Sequence, residues 1–267
     1  MRGKGSTMDT ISYSVEGGIA TIRFNRPEGA NAVNPAFARD LRAAVIDAEF
    51  DDAVSTVLVT AEGRVFCAGG DLKEFHAAGA ALPKLAADML VDFHGAIYHM
   101  NRMPKPVVAA VAGAAGGAGL SLVTAFDLVV VGESARFTMA YTRAGVTPDG
   151  TSTYFLSRHV GVRRALDLTL TNRVLSAAEA EAWGLVNRVV PDDEVESTAR
   201  ALAEELAGGA TRALGWAKRL IYEGHDSPLA DAGEREGQVI TGAMATADGR
   251  EGIAAFVEKR PAEFTGR

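Results

Sequence analysis

The amino-acid sequence predicts an α/β protein with a mostly parallel sheet, followed by a helical extension. Strand-like runs alternate with helical patterns over the first two thirds of the chain, and strands vanish after about Pro191. Strand–helix–strand alternation favours right-handed βαβ units, whose strands pair in parallel. We therefore expect one structural unit, with a core over residues 8–190 and a helical region over residues 191–267 that packs on a neighbouring subunit.

Local patterns predict the individual elements. Runs rich in β-branched residues predict strands at about 11–15, 19–24, 54–60, 107–111, 127–131 and 186–190. Asn34 and Pro35 predict the start of a helix, because Asn is a good cap and Pro fits the first turn. Apolar residues recur at helical spacing from about Leu82 to Asn101. In the last part of the chain, three helices are expected at 192–207, 210–223 and 227–241.

Composition excludes several classes of protein. The 267 residues are 48% hydrophobic with a net charge of −7, which fits a globular chain and provides no basic surface for nucleic acid or an acidic membrane. The apolar runs are too short to span a bilayer. The single cysteine, Cys67, excludes an internal disulfide and indicates a reducing cytoplasm. Five scattered histidines show no metal-ligand spacing, so we expect no metal site.

Two glycine-containing junctions between a strand and a helix form the candidate site. Residues 66–72 (FCAGGDL) and residues 111–120 (VAGAAGGAGL) each follow a predicted strand. Small residues let a ligand approach the backbone, and the free N–H groups of a first helical turn are donors. Two such groups aimed at one carbonyl oxygen would form an oxyanion hole. Each junction alone also fits an ordinary tight turn, and the spacing of a P-loop or dinucleotide motif is not met.

The two junctions together resemble the enoyl-CoA hydratase/isomerase (crotonase) superfamily. Residues 65–72 (VFCAGGDL) resemble its F-x-A-G-x-D-[LI] segment, and residues 105–127 resemble its K-P-x-[IV]-A-x-[IV]-x-G-x-x-x-G-G-G segment. Further similarity follows in family order in residues 25–34, 170–190 and 256–266. The resemblance implies a crotonase-like spiral of ββα units, C-terminal helices that close the acyl site, and a homotrimer or dimer of trimers. It also implies an acyl-CoA thioester substrate and no separate cofactor.

The same resemblance implies roles for particular residues. Gly70 and Ala118 would hold the thioester oxygen through their N–H groups; the alanine departs from the family's glycine, which ordinary backbone dihedrals would tolerate. The contacts to adenine and pantetheine would fall, largely through backbone, on Ala30, Ala32, Ala68, Asp71 and Leu72. Lys259 would contact a phosphate. His94, Ser121 and Tyr141 are expected to shape the acyl pocket.

The acid–base groups decide which crotonase reaction is expected. The two glutamates typical of hydratases would fall at Ser121 and Tyr141, and neither residue is acidic. Asp149, in residues 145–152 (GVTPDGTS), resembles the base of crotonases that shift double bonds with one Asp. One base that removes a proton and returns it elsewhere needs no second carboxylate. An enoyl-CoA isomerase is therefore favoured, although Asp149 after Pro148 also fits a plain helix N-cap.

Three other functions remain open at this point. A 2-enoyl-CoA hydratase would use other acid–base groups. An aryl-CoA dehalogenase or thioester hydrolase would use Asp149 as a nucleophile with His94 to activate water, although the tryptophans of an aromatic pocket are not found on the 82–101 helix. A non-catalytic CoA-thioester binder would have kept the oxyanion loops and lost its carboxylates.

Overall fold

A six-stranded sheet forms the centre of the protein, whose computed structural model describes residues 8–266. Its strands, in spatial order, are β1 (Ile11–Glu16), β2 (Ile19–Phe24), β3 (Thr56–Ala61), β5 (Val107–Val111), β7 (Leu128–Gly132) and β10 (Arg188–Val190). β1 and β2 form an antiparallel hairpin, and every other neighbouring pair is parallel. The sheet is therefore mostly parallel, as the alternation of strands and helices predicts.

A second sheet of short strands lies beside the first. It consists of β4 (Val65–Cys67), β6 (Ala114–Gly116), β8 (Arg136–Thr138) and β9 (Leu175–Ser176). β4, β6 and β8 are parallel and each follows a strand of the large sheet within a few residues, which gives a repeated β–β–helix unit. This repetition agrees with the expected spiral. The sequence patterns did not predict these strands individually, because each has only two or three residues and β6 (AAG) contains only alanine and glycine in place of β-branched residues.

Helices cover and extend the two sheets. They are α1 (Pro35–Phe50), α2 (Leu72–Ala78), α3 (Leu82–Arg102), α4 (Ala118–Ala125), α5 (Ser152–Val160), α6 (Val162–Thr171), α7 (Ala177–Ala182), α8 (Val195–Ala207), α9 (Thr211–Gly224), α10 (Leu229–Met244) and α11 (Ala247–Glu258). The predicted start of α1 is confirmed, since Asn34 Oδ1 accepts a hydrogen bond from the Phe37 N–H (2.9 Å). None of the helices within residues 8–266 combines the length and apolar character needed to cross a bilayer.

The three predicted C-terminal helices are present as α8, α9 and α10, and α11 is a fourth helix that was not predicted. Gly249 and Gly252 lower the helix propensity of α11, so local sequence patterns do not predict this helix. A cap compensates: Thr246 Oγ1 accepts a hydrogen bond from the Gly249 N–H (2.9 Å).

The central strands of the large sheet, β3, β5 and β7, are buried on both faces. On β3, Val57 and Val59 pack into the cluster that contains α1 and α3, while Leu58 points to the opposite face. There it meets α8 through residues such as Ala199 and Ala203. Helix α8 thus packs directly against the sheet, although it lies beyond residue 190. The division of the chain into regions 8–190 and 191–267 stays a prediction.

Helix α9 is attached to the core by a buried ion pair. The Lys218 ammonium lies 2.7 Å from Asp127 and donates to the carbonyl oxygens of Met100 (2.6 Å) and Lys105 (3.1 Å). Asp127 also accepts from the Tyr222 hydroxyl (3.0 Å). These contacts connect α9 to the end of α3 and the start of β5.

Candidate active site

The two glycine-containing junctions lie side by side. β4 and β6, which lead into them, are paired in parallel. A Cβ on Gly69 would lie 3.0 Å from the Gly116 carbonyl oxygen, and one on Gly119 would lie 2.2 Å from the Cys67 carbonyl oxygen. This close backbone approach explains why the junctions need glycine, and it brings the residues that follow Gly69 and Gly117 together.

The N–H groups of Gly70 and Ala118 are both available as donors. Gly70 is flanked by two hydrogen bonds to Val33: the Gly69 carbonyl accepts from the Val33 N–H (2.7 Å), and the Asp71 N–H donates to the Val33 carbonyl (2.9 Å). Ala118 is the first residue of α4, where an N–H has no partner within the helix. Within residues 8–266 neither N–H donates to a protein acceptor. The φ of Ala118 is not in the positive range, where a side chain would be strained, so its methyl group is tolerated.

Arg26 and Asp71 hold the Gly70 loop in place. Asp71 caps α2 by accepting from the Glu74 N–H (3.2 Å), and it pairs with Arg26 (2.6 Å). Burial acts to raise the pKa of Asp71, but the Arg26 guanidinium and the backbone N–H groups outweigh it, so the pKa lies below its ordinary value. Arg26 also donates to the Ala32 carbonyl (2.8 Å). Arg26 was not singled out from the sequence, although it lies in a segment that carries the family resemblance.

The residues expected to contact coenzyme A surround this loop, with one exception. The Ala68 N–H donates to the Ala30 carbonyl (3.0 Å), and Ala30 has a left-handed backbone with φ of 51°. Leu72 is 61% exposed at the start of α2. Lys259 is exposed at the end of α11, and within residues 8–266 no hydrogen bond or ion pair connects it to this loop.

A second cluster brings together Ser121, Tyr141 and Asp149. The Tyr141 hydroxyl donates to Asp149 Oδ1 (2.6 Å) and lies 2.8 Å from Ser121 Oγ. Ser121 Oγ is also within 3.0 Å of the Asp149 carbonyl oxygen. Both positions that would carry glutamates in a hydratase thus contact Asp149, Tyr141 through the carboxylate and Ser121 through the main-chain carbonyl oxygen.

The interpretation of Asp149 as a helix N-cap was wrong. Helix α5 begins after Thr151, and no side chain caps its first N–H groups. The Asp149 main-chain carbonyl accepts from the Ser152 hydroxyl (2.8 Å), whereas its carboxylate accepts from Tyr141. Within residues 8–266 no hydrogen bond reaches the second carboxylate oxygen, Oδ2.

Two neighbouring groups are kept in their neutral forms. Burial, followed by the negative charge of Asp149 and the hydrogen bond to it, raises the pKa of Tyr141 well above its ordinary value. Tyr141 therefore remains a hydrogen-bond donor to the carboxylate. Burial raises the pKa of the Cys67 thiol to about 12, with the Gly69 backbone opposing the shift. Cys67 is thus a buried packing residue and carries no reactive thiolate.

The turn after Asp149 packs tightly between α3 and α4. The Gly150 N–H donates to His94 Nε2 (3.1 Å), and Gly150 has a φ of +59°. A Cβ on Gly150 would lie 2.8 Å from both Phe93 Cε1 and Ser121 Cβ. Only glycine fits there, so the glycine that follows Asp149 in the sequence has a structural reason.

The two clusters adjoin through the first turn of α4. The Gly117 carbonyl accepts from the Ser121 N–H (3.0 Å), and a Cβ on Gly117 would lie 4.0 Å from Tyr141 Cζ. Free N–H donors at Gly70 and Ala118 therefore lie near one carboxylate. This arrangement has the components of a site that stabilises a thioester enolate and moves a proton. Within residues 8–266 no three His, Cys, Asp or Glu side chains form a group that could hold a metal ion.

Comparison with known proteins identifies the class of enzyme. The sequence pattern of the family described as enoyl-CoA hydratase/isomerase matches residues 14–267. The chain therefore belongs to the enoyl-CoA hydratase/isomerase family of acyl-CoA enzymes, as the sequence motifs indicated. An enoyl-CoA hydratase structure from Polaromonas sp. JS666 superposes with a TM-score of 0.92 at 34% identity, over 96% of this chain and 99% of that one. The crotonase-like fold is thereby confirmed.

The relatives with assigned names differ in their reactions. A probable enoyl-CoA hydratase of Rhodobacter capsulatus is 39% identical over 97% of this chain and 98% of its own length. The 1,2-epoxyphenylacetyl-CoA isomerase of Escherichia coli K12 is 36% identical over 97% of this chain and 100% of its length. The 4-chlorobenzoyl coenzyme A dehalogenase-2 of an Arthrobacter species is 36% identical over 93% of this chain and 91% of its length. Similarity at this level defines the family and leaves the particular reaction open.

Proposed function

We propose that this protein is an enoyl-CoA isomerase that uses Asp149 as its only base. The observation that carries the proposal is the cluster around Asp149. Ser121 and Tyr141, at the positions of the two hydratase glutamates, are both hydroxyl residues, and both contact Asp149. The cluster therefore contains one carboxylate, which is what a proton shuttle needs.

The proposed reaction moves one proton between two carbons of a 3-enoyl thioester. Asp149 takes the proton from C2, and the electron pair of the broken C–H bond forms an enolate conjugated to the double bond. The N–H groups of Gly70 and Ala118 hold the enolate oxygen. Asp149 then returns the proton to C4, which leaves the double bond between C2 and C3. No electrons are gained or lost, so the proposal requires no redox cofactor.

The Tyr141 contact supports this role for Asp149. The Tyr141 hydroxyl is hydrogen-bonded to Asp149 Oδ1, so Asp149 Oδ2 is the oxygen that would receive the proton. Because Tyr141 is held in its protonated form, it is not a second base. Hydration of a 2-enoyl thioester calls for one group to activate water and another to deliver a proton, and this cluster offers a single carboxylate for the two tasks.

Hydrolytic dehalogenation of an aryl-CoA is a second candidate, in which His94, beside the Asp149 turn, would first have to release the Gly150 N–H before it could activate water. His94 Nε2 lies 3.1 Å from the nitrogen of Gly150, the residue after Asp149. In that reaction Asp149 would attack the ring carbon and displace halide, and water activated by His94 would then cleave the ester. The similarity to the Arthrobacter dehalogenase supports keeping it as the alternative.

The C-terminal helices support the proposal of a homotrimer or dimer of trimers. Leu229, Phe256 and Val257 are 90%, 86% and 74% exposed on α10 and α11, which is costly for a monomer and fits contact with another subunit. Lys259, next to this surface, would then be free to contact the phosphate of a coenzyme A bound by the neighbour. Light scattering coupled to size exclusion measures the assembly, and a monomer at micromolar concentration would contradict this part of the proposal.

The test is turnover by the wild-type protein and by Asp149→Asn. A 3-enoyl-CoA is followed by the absorbance of the conjugated thioester, a 2-enoyl-CoA by its loss, and 4-chlorobenzoyl-CoA by chloride release. We expect 3-enoyl-CoA conversion that falls by at least about 10³-fold in the variant, because the amide cannot accept a proton. A control variant, Asp193→Asn, changes an exposed carboxylate in the loop before α8 and should leave the rate unchanged.

Each alternative gives a different result in the same experiment. Hydration of the 2-enoyl substrate that survives Asp149→Asn would overturn the assignment of the base. Chloride release that depends on both Asp149 and His94 would establish the dehalogenase. Tight thioester binding with no turnover of any substrate would favour a non-catalytic binder.

A further inference from the structure

We infer that His94 is a positioning residue, which holds the Asp149 turn by accepting a hydrogen bond and is therefore not free to act as a base. This inference rests on the proposed function in taking Asp149 as the group that is positioned. The observation behind it is the bond from the buried Gly150 N–H to His94 Nε2 (3.1 Å).

The direction of that hydrogen bond fixes the chemical state of the imidazole. A backbone N–H can only donate, so Nε2 must present its lone pair. A neutral imidazole has one acceptor nitrogen, and its single proton is then on Nδ1. The lone pair that would remove a proton from water is already engaged by Gly150. His94 would have to release Gly150 before it could act as a base.

The other hydrogen bonds of the turn show why this one matters. The Asp149 carbonyl accepts from Ser121 and Ser152, and the Asp149 carboxylate accepts from Tyr141. Within residues 8–266, His94 Nε2 is the only acceptor of the Gly150 N–H. Without it, a buried donor is left unsatisfied one residue from the base.

The space around Gly150 makes the turn sensitive to that loss. Phe93 of α3 and Ser121 of α4 leave no room for a Cβ at Gly150, and its backbone is left-handed. A shift of the turn that let Gly150 find water would also move Asp149. Displacement of a reacting group by about 1 Å can reduce a rate by about 100-fold. His94 therefore acts on the reaction through the position of Asp149.

The test compares His94→Gln, which keeps an acceptor on a side chain of similar reach, with His94→Leu, which does not. We expect kcat on a 3-enoyl-CoA to fall at least about tenfold in His94→Leu with KM changed less than about threefold, and to recover most of this loss in His94→Gln. His225→Gln, at an exposed site beyond α9, is the matched control and should keep the wild-type rate.

A second measurement does not depend on turnover. Amide hydrogen exchange of the segment 147–151 should speed up in His94→Leu and stay near the wild-type rate in His94→Gln. Wild-type kcat and exchange in His94→Leu would overturn the inference, as would equal loss of activity in both variants with unchanged exchange. If the wild-type protein fails to convert 3-enoyl-CoA, the proposed function is wrong, and the exchange measurement still decides the role of His94.

Discussion

At the scale of single residues, the proposed oxyanion hole depends on the main-chain N–H of Ala118. It is the first N–H of α4, and the Gly70 N–H on the neighbouring loop is equally unpaired within residues 8–266. Two rigid donors aimed at one oxygen stabilise negative charge without having to reorganise. The side chain of residue 118 has no part in this, which is why alanine can stand where the resemblance to the family motif implies glycine.

Ala118→Pro tests this donor directly. Proline removes the N–H, yet the first position of a helix is where proline is best tolerated. We predict a fall in kcat of about 10²- to 10³-fold, as for the loss of one oxyanion donor. Ala118→Gly keeps the N–H and should stay within a few fold of wild type. Steady-state kinetics with circular dichroism as a folding check would contradict the assignment if Ala118→Pro were folded and as active as Ala118→Gly.

At the scale of elements, buried or capped polar contacts fix where the helices attach. The Lys218–Asp127 pair connects α9 to the core and is enclosed by main-chain carbonyls from two other elements. Removing one partner of such a pair leaves the other charge buried without compensation. The attachment of α9 therefore depends on both charges being present together.

Lys218→Met is predicted to lower the free energy of unfolding by about 3–5 kcal/mol. The control is Arg219→Met on the same helix, where an exposed ion pair with Glu223 is worth about 0–1 kcal/mol. Urea unfolding followed by circular dichroism measures both. Equal stability of the two variants would show that the buried pair contributes no more than a surface one.

Helix α7 begins with a capping box that makes its stability depend on pH. The Ser176 N–H and hydroxyl, with Arg173, donate to Glu179 and lower its pKa from 4.5 to about 2, the Ser176 backbone being the main cause. Because the folded-state pKa is depressed, this contribution is fully present above the ordinary value of 4.5. It is lost as the pH falls through the folded-state value.

Glu179→Gln should therefore lower Tm at pH 7, and the difference from wild type should shrink as the pH is reduced below about 4.5. Glutamine keeps part of the capping box but not the charge, so the variant isolates the contribution of the ionised Glu179 carboxylate to stability. Thermal melts of both proteins between pH 7 and the lowest pH at which they fold check this. A difference in Tm that stays constant with pH would show that the ionised carboxylate contributes nothing.

At the scale of the whole molecule, the sequence predicts helices and strands best where a hydrophobic pattern continues over many residues or a helix cap is clear. The boundaries of β2, β5 and α3 and the start of α1 follow from such signals, and the structure agrees with them to within a residue or so. The second sheet was not predicted, because its strands are held by pairing between distant segments. The same limit applied to α11, whose glycines conceal a helix that its cap and neighbours stabilise.

The candidate site likewise contains residues that local sequence predicts and contacts that it does not. Loop residues such as Gly70 and Ala118 stand out because close backbone approach demands small residues at fixed spacing. The contacts of Asp149 with Tyr141 and Ser121 join positions 8 and 28 residues apart, so no local pattern reveals them. The role of His94 depends on the direction of one hydrogen bond, which only coordinates provide.

The central claim, that Asp149 alone carries the proton from one carbon to the other, is tested most directly with a 3-enoyl-CoA deuterated at C2. The substrate is converted in ordinary water, and deuterium at C4 of the product is measured by mass spectrometry and NMR. A half-buried single base predicts that a measurable fraction of the label is transferred to C4, and that Asp149→Asn abolishes the conversion. Product with no deuterium at C4 at any stage of the reaction, or conversion that persists in Asp149→Asn, would contradict the account.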